Sequence, residues 1–218
     1  VTPSSSVSAL NNAVARRWIA EGRRMALATL VDTEGSAPLE PGAMMLIDAD
    51  GNIEGSVTGG CVEGALVQEA QRVLDGEPPR VRTYGISDDV AAGVGLMCGG
   101  TVHIFVERLE GDAAEALDRV LAEALEGKPA AIATLLDGDA AGRRMYSIDG
   151  ATYGSMDVTT LLDRTVAREM HGMLGKGLTA MRRYGADGAA MGWELRVHIR
   201  SFSEPPKLVI VGAIDFSA

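Results

Sequence analysis

Hydrophobic positions along the chain follow two periods, one typical of helices and one typical of strands. Apolar residues spaced three and four apart predict helices over 8–22, 62–74 and 112–126. Runs of aliphatic and β-branched residues predict strands over 25–32, 43–47, 52–57, 81–84 and 101–109. The letters DADG between the second and third of these strands are typical of a hairpin turn.

The second half uses the same kinds of element without a visible repeat of sequence. It predicts strands over 130–136, 143–148, 151–153, 178–184 and 191–199, with hairpins at DG and GADG. Asp157 is the predicted N-cap of a helix that ends near residue 174. Hairpins mixed with helices predict an α/β fold of mixed α+β layers over residues 1–204, with a subdivision near 110 left open.

The last residues, 205–218, have a different pattern. Two prolines precede an apolar run over 208–211 and then Gly212, which predicts the first strand of a Rossmann-like domain. The crossover helix that should follow does not occur before residue 218. We therefore expect that the natural protein continues into this second domain. The initial Val1 in place of methionine is consistent with trimming and equally with a non-standard start codon.

Composition and charge exclude several classes of partner. The 218 residues carry a formal net charge of -10, which argues against nucleic acid or an anionic membrane surface. No apolar run approaches the ~18–20 residues that a membrane span needs. Two cysteines make no disulfide framework, so a cytoplasmic protein is expected.

Glycine is in excess, with 27 residues, and a pair of glycines lies beside each cysteine. Cys61 follows Gly59 and Gly60 just before the 62–74 helix, whereas Cys98 precedes Gly99 and Gly100 just before the 101–109 strand. Such flanks let a ligand approach main-chain N–H groups. At a helix N-terminus, unpaired amides would favour the Cys61 thiolate and could hold a phosphate. The alternative is that both cysteines are small buried hydrophobes.

Ser36 and the histidines are weaker candidates. Ser36, between Gly35 and Ala37, could bind a phosphate or another oxygen-rich ligand, although such a loop is more often only a turn. The three histidines and two cysteines lack zinc-ligand spacing. His103 and His198 are predicted to be ordinary half-exposed strand residues, and His171 an ordinary helix residue.

Several ordered blocks between residues 10 and 110 resemble one known family. They are TEGSAP (33–38), PGAMM (41–45), GSVTGGCVEG (55–64), RTYGISDD (82–89) and GVGLMCGGT (93–101). Together they are similar to the XdhC/CoxI family, the xanthine dehydrogenase accessory factors. The ending 206–213 resembles the entry to that family's Rossmann-like domain, but Ile214 stands where the family often has a second glycine.

The resemblance implies a protein that binds the molybdenum cofactor and assists its sulfuration with a cysteine desulfurase. It also implies insertion of that cofactor into a molybdenum hydroxylase of the xanthine dehydrogenase or CO dehydrogenase type. The cofactor contacts that the resemblance implies are Cys98 and Cys61. Cys98 is also the implied contact to molybdenum itself. Gly59, Gly60, Gly99 and Gly100 would shape the pocket, with Ser36 beside it. A soft thiolate suits this chemistry, an acidic surface suits protein partners, and a homodimer is left open.

Two alternatives remain at this point. A thiol-dependent redox enzyme, with a nicotinamide cofactor in the missing domain, requires Cys61 and Cys98 to lie within disulfide reach, with Cα atoms ~7 Å apart or less. A binding or assembly module with both cysteines in its core predicts slow thiol labelling.

Overall fold

A computed structural model describes residues 10–85 and 99–203 of the chain. The described part contains four helices, α1 (Asn12–Ala20), α2 (Glu63–Leu74), α3 (Gly111–Leu125) and α4 (Thr160–Leu174). Its first five strands are β1 (Met25–Glu34), β2 (Met44–Asp48), β3 (Ile53–Gly55), β4 (Arg80–Tyr84) and β5 (Thr101–Leu109). Its last five are β6 (Ala130–Leu135), β7 (Arg144–Ile148), β8 (Ala151–Ser155), β9 (Ala180–Tyr184) and β10 (Leu195–Ser201).

The strands form two antiparallel sheets with the same topology. The first sheet has the order β3-β2-β1-β5-β4, and the second has the order β8-β7-β6-β10-β9. We call the first sheet with α2 unit 1 and the second sheet with α4 unit 2. Their registers also correspond: the pairings Ala28–Met45 and Ala28–Val106 in unit 1 match Ala133–Met145 and Ala133–Ile199 in unit 2. The backbone therefore repeats where the sequence shows no repeat.

One glycine in each unit allows the same close approach of two neighbouring strands. Gly55 is the last residue of β3 and Gly154 the next-to-last residue of β8, with φ of 85° and 83°. A Cβ at either position would collide with a backbone carbonyl oxygen, that of Met44 or that of Arg144. Glycine is required in both places because the φ is left-handed and the neighbouring strand is too close for a side chain.

Each sheet buries both of its faces. Alternate residues of β1, such as Ala26 and Ala28, pack against α2, because successive strand side chains point to opposite faces. Met25 and Leu27 point the other way, into a cluster shared with α1, α3 and the second sheet. In unit 2, α4 covers one face of the second sheet in the same manner as α2 covers the first. The core therefore has one layer under α2, one under α4 and a further layer between the sheets.

The predicted mixed fold of α and β layers is confirmed, and most elements begin and end within a few residues of the prediction. The predicted cap of α4 is wrong. Thr159, not Asp157, caps this helix: it has extended backbone, and its Oγ1 accepts from the Leu162 N–H at 3.0 Å. Asp157 has a left-handed φ of 53°, and it pairs with Arg143. The predicted strand in 205–218 lies outside the described residues. In 10–85 and 99–203, no helix is long and apolar enough to span a membrane.

Candidate functional site

The direction of α2 decides which segments meet at one end of unit 1. Arg24, the residue before β1, donates to the Leu74 carbonyl and pairs with Asp75 at the C-terminal end of α2. Helix and strand therefore run in opposite directions, which places the N-terminus of α2 toward the end of β1. Consistent with this, Cys61 and the post-strand residues Ala37 and Leu39 pack against the same core cluster. We call this end of unit 1 the thiol end.

Two of the predicted backbone segments touch at the thiol end. Glu34 pairs with Thr101 across the sheet, so the chain leaving β1 passes the chain entering β5. A Cβ on Gly100 would collide with the carbonyl oxygen of Ser36 and lie 2.8 Å from that of Glu34. Gly35, with φ of 73°, faces the Cα of Gly100. The structure thus brings Ser36, Gly99 and Gly100 together, and it requires glycine at position 100 for this close contact.

The loop that carries Cys61 is held by the carboxylate of Glu63, the first residue of α2. Six donors reach this group: Ser56 Oγ at 2.5 Å, Thr58 Oγ1 at 2.8 Å, and the N–H groups of Val57, Thr58, Gly60 and Val62 at 2.9–3.3 Å. The Gly59 N–H donates to Ser56 Oγ at 2.8 Å. This role of Glu63 was not predicted from the sequence. An acidic residue at the start of a helix after a glycine-rich loop is the signal that could have revealed it.

These hydrogen bonds set the protonation of Glu63. Burial alone would raise the pKa of its carboxyl group, but the donors from Ser56 and Thr58 outweigh that effect and lower the pKa to about 2. Glu63 is therefore an anion at neutral pH. The sequence predicted that free amides at the N-terminus of this helix could hold a phosphate, but the amides of Gly60 and Val62 already donate to this anion. For these two amides the prediction is wrong, because a phosphate there would have to displace Glu63.

Cys61 carries the thiol of this loop. Among the described residues it forms no disulfide, and it is half-buried, so it is neither a fully enclosed core residue nor a freely exposed one. Cys98 lies outside the described residues, directly before Gly99 in the sequence. Its predicted role, its contact with molybdenum and its distance from Cys61 therefore stay predictions.

Unit 2 contains the counterpart of this loop without its thiol. The carboxylate of Asp163 accepts from Ser155 Oγ at 2.8 Å and from the Met156 N–H at 2.9 Å, as Glu63 does from Ser56 and Val57. The letters DVTT follow Met156 and lead into its helix, in place of the Gly-Gly-Cys run. The shared topology therefore supports a thiol-bearing loop in unit 1 alone, within the described part of the chain.

The three histidines differ in their exposure to solvent, and one of them differs from its prediction. His103 lies between Thr83 Oγ1, at 2.9 Å from its Nδ1, and Glu34 Oε1, at 3.2 Å from its Nε2. His171 lies on α4, as predicted, and it is exposed. His198 is only 3% exposed, so the prediction that it is half-exposed is wrong. The reason is that unit 1 covers the face of the second sheet from which it projects.

Glu63 is expected to stabilise the fold through its charge. Glu63→Gln should lower the free energy of unfolding by about 2 kcal/mol at pH 7, because several donors lose a charged acceptor that is only partly exposed to solvent. Because the pKa is lowered on folding, this stabilisation is present above about pH 4.5 and is lost as the pH falls toward about 2. Urea denaturation at pH 7 and pH 3 checks both points. Asp163→Asn, with fewer donors, is the matched control and should cost less. An equal loss at both pH values would contradict the assignment.

Comparisons with known proteins bear on this end of the molecule. Residues 18–85 match the model of the XdhC and CoxI family. A probable xanthine dehydrogenase subunit of Bacillus subtilis is 36% identical over 85 residues, which are 38% of this chain and 26% of that protein. The molybdenum cofactor insertion chaperone PaoD of Escherichia coli is 33% identical over 111 residues, which are 50% of this chain and 33% of that protein.

A solved structure shares the fold. The crystal structure of a xanthine dehydrogenase from Bacillus halodurans superimposes with a TM-score of 0.64 and 22% identity, over 89% of this chain and 53% of that one. The chain thus spans about half of the solved protein and a third or less of these two curated relatives. Residues 18–85 include β1, the Cys61 loop and α2, so the resemblance to the XdhC and CoxI family predicted from the sequence is confirmed over the segment that builds the thiol end.

Proposed function

We propose that this chain is an accessory factor in the maturation of the molybdenum cofactor, which it handles as cargo at the thiol end. One observation carries the proposal: a half-buried Cys61 stands on a loop that six hydrogen bonds to Glu63 hold in place. This loop lies within the segment that matches the family. The name of the Escherichia coli relative, a molybdenum cofactor insertion chaperone, supports the same role.

The donor set at the thiol end fits such a cargo in kind. A cysteine thiolate is a soft ligand and suits molybdenum or a sulfur-bearing intermediate better than oxygen ligands do. The close backbone contact between Ser36 and Gly100 fixes the path of the chain at this end. Ser36 offers a hydroxyl beside it. The Gly60 and Val62 amides donate to Glu63 and are therefore not available to bind the phosphate of the cargo. Other groups would have to hold that phosphate.

Further parts of the proposal concern the second thiol, the release of the cargo and the protein partners. Cys98, next to Gly99 in the sequence, is the proposed second thiol and the proposed contact to molybdenum. A preorganised loop keeps Cys61 in one position, which lowers the entropy lost on binding and suits a protein that must hold and then release its cargo. Sulfuration with a cysteine desulfurase, insertion into a molybdenum hydroxylase and a dimeric assembly remain parts of the proposal.

Cofactor retention tests the proposal. Wild-type protein and the variants Cys61→Ala and Cys98→Ala are purified from cells that make molybdopterin, and pterin fluorescence is read after oxidation. We expect a near-stoichiometric signal in the wild type and a drop of about tenfold or more in each variant, since a lost soft ligand typically costs more than about 1.4 kcal/mol. Ser155→Ala, in the counterpart loop of unit 2, is the matched control and should keep the signal.

Two results would contradict the proposal. Equal pterin in the wild type and both cysteine variants would remove the thiols from the site. No pterin with this chain or with the product of its complete reading frame would favour a thiol-dependent redox enzyme or an assembly module instead.

A further inference from the structure

A small cavity lies between the two sheets, on the face of the first sheet that points away from α2. Its volume is about 20 Å³, which is room for one or two water-sized particles and excludes an organic ligand such as a pterin. Polar groups from both units line it: Thr29, Glu107, Thr134, Arg144, His198 and Arg200. A polar cavity inside an otherwise apolar layer needs a physical explanation.

The charges around this cavity do not balance. Glu107 of β5 and Arg144 of β7 form a buried ion pair across the two sheets, with side chains 6% and 7% exposed. Arg200 of β10 adds a second cation. Its guanidinium stacks over Phe202 at 4.3 Å, and its Nη1 is buried without a hydrogen-bond partner among the described residues. Burial lowers the pKa of Arg200 only to about 10, so the side chain keeps its charge at neutral pH.

A second buried group next to Arg200 also lacks a partner. His198 lines the same cavity, and its Nε2 has no hydrogen-bond partner within residues 10–85 and 99–203. Burial and then the charge of Arg200 lower the pKa of His198 to about 3, so the imidazole is neutral at pH 7. A neutral imidazole protonated on Nε2 donates one hydrogen bond. In that tautomer, His198 Nε2 and Arg200 Nη1 are two donors without a partner among the described residues, and both residues line the same small space.

We propose that the cavity between the sheets is a binding site for one small monovalent anion of halide size, held by Arg200 Nη1 and His198 Nε2. The Nη1 atom of Arg200 is buried without a partner among the described residues, although the residue as a whole is partly exposed, and such a charged donor is costly to leave unpaired. An anion removes that cost, whereas a water molecule satisfies only the hydrogen bond. Because strands of both sheets line the cavity, the anion stabilises the packing of unit 1 on unit 2. This site is separate from the thiol end and does not depend on the proposed function.

Halide-dependent stability is the first test. Thermal unfolding of the full chain is compared in sodium bromide or chloride and in sodium gluconate at equal ionic strength, because gluconate is too large for the cavity. We expect the wild-type Tm to be higher in halide by about 5 °C near saturation. Arg200→Met and His198→Leu should reduce or abolish this difference. Arg183→Met removes an exposed arginine of the same sheet and should keep it.

Bromide diffraction is the second test, and it does not require a folded variant. Crystals grown in sodium bromide should show an anomalous peak within hydrogen-bond distance of Arg200 Nη1 and His198 Nε2. The same Tm in halide and gluconate would overturn the proposal, and so would a cavity that contains only water in the bromide crystals. Halide dependence that persists unchanged in Arg200→Met would place the anion elsewhere and would equally overturn it.

Discussion

Glu107→Ala is expected to lower the free energy of unfolding by about 4 kcal/mol, because it leaves Arg144 charged, buried and unpaired between the sheets. Burial raises the pKa of Glu107, and the charge of Arg144 opposes that shift, so each group depends on the other. Urea denaturation measures the loss. The effect should be large because the pair joins β5 of unit 1 to β7 of unit 2, and the cavity beside it has room for only one or two water molecules, too few to hydrate a free guanidinium.

The double variant Glu107→Leu with Arg144→Met distinguishes the pair from its parts. It should recover most of the lost stability, because two apolar side chains replace two buried charges. The neighbouring exposed pair Arg143–Asp157 is the matched control, and Asp157→Ala should cost at most about 1 kcal/mol. A Glu107→Ala protein within about 1 kcal/mol of the wild type would show that the pair does not hold the units together.

His198 is expected to make the fold sensitive to mild acid. Its pKa is about 3 in the folded protein and about 6.5 when unfolded, so the unfolded chain binds more protons between these values. The free energy of unfolding therefore falls as the pH drops below about 6.5. Between pH 7 and pH 5 the expected loss is about 2 kcal/mol. The carboxyl group of Glu63 contributes only below about pH 4.5, so the two effects occupy different windows.

Variants of two histidines test this assignment by urea denaturation at pH 7 and pH 5. His198→Leu should lose most of the dependence on pH in this window, even if its stability at pH 7 differs from that of the wild type. His171→Gln, at an exposed histidine of α4, should keep the dependence. The charged groups that line the cavity with His198 are Arg200, Arg144 and Glu107. An unchanged pH profile in His198→Leu would contradict the assignment of the acid sensitivity to His198.

Local patterns predicted the elements well, for a physical reason. In a helix, side chains return to the same face about every three and a half residues, and in a strand every second side chain does. Those periods are visible in a short window of sequence. The strand over 101–109 was therefore predicted with the bounds that the structure shows. The cap of α4 was not, because Asp157 and Thr159 are both good N-caps and only the backbone path chooses between them.

The candidate site was predictable in part. The glycines beside Cys61 and Cys98 pointed to loops of special backbone, and Gly100 indeed meets the Ser36 carbonyl too closely for any side chain. The role of Glu63 was missed because its partners spread over residues 56–62 and become a cradle only when the loop closes. His198 was misjudged because its burial depends on residues of unit 1 far away along the chain.

By itself, the sequence determined where helices and strands lie, that residues 33–101 carry family motifs, and that two thiols sit beside glycines. These are local properties, since each depends on neighbours within a few residues. Only the tertiary structure decided that the two halves share one topology, that Glu63 holds the Cys61 loop, and that Arg200 and His198 face a polar cavity between the sheets. Such features depend on which distant surfaces exclude water from each other, and that is settled by packing rather than by local pattern.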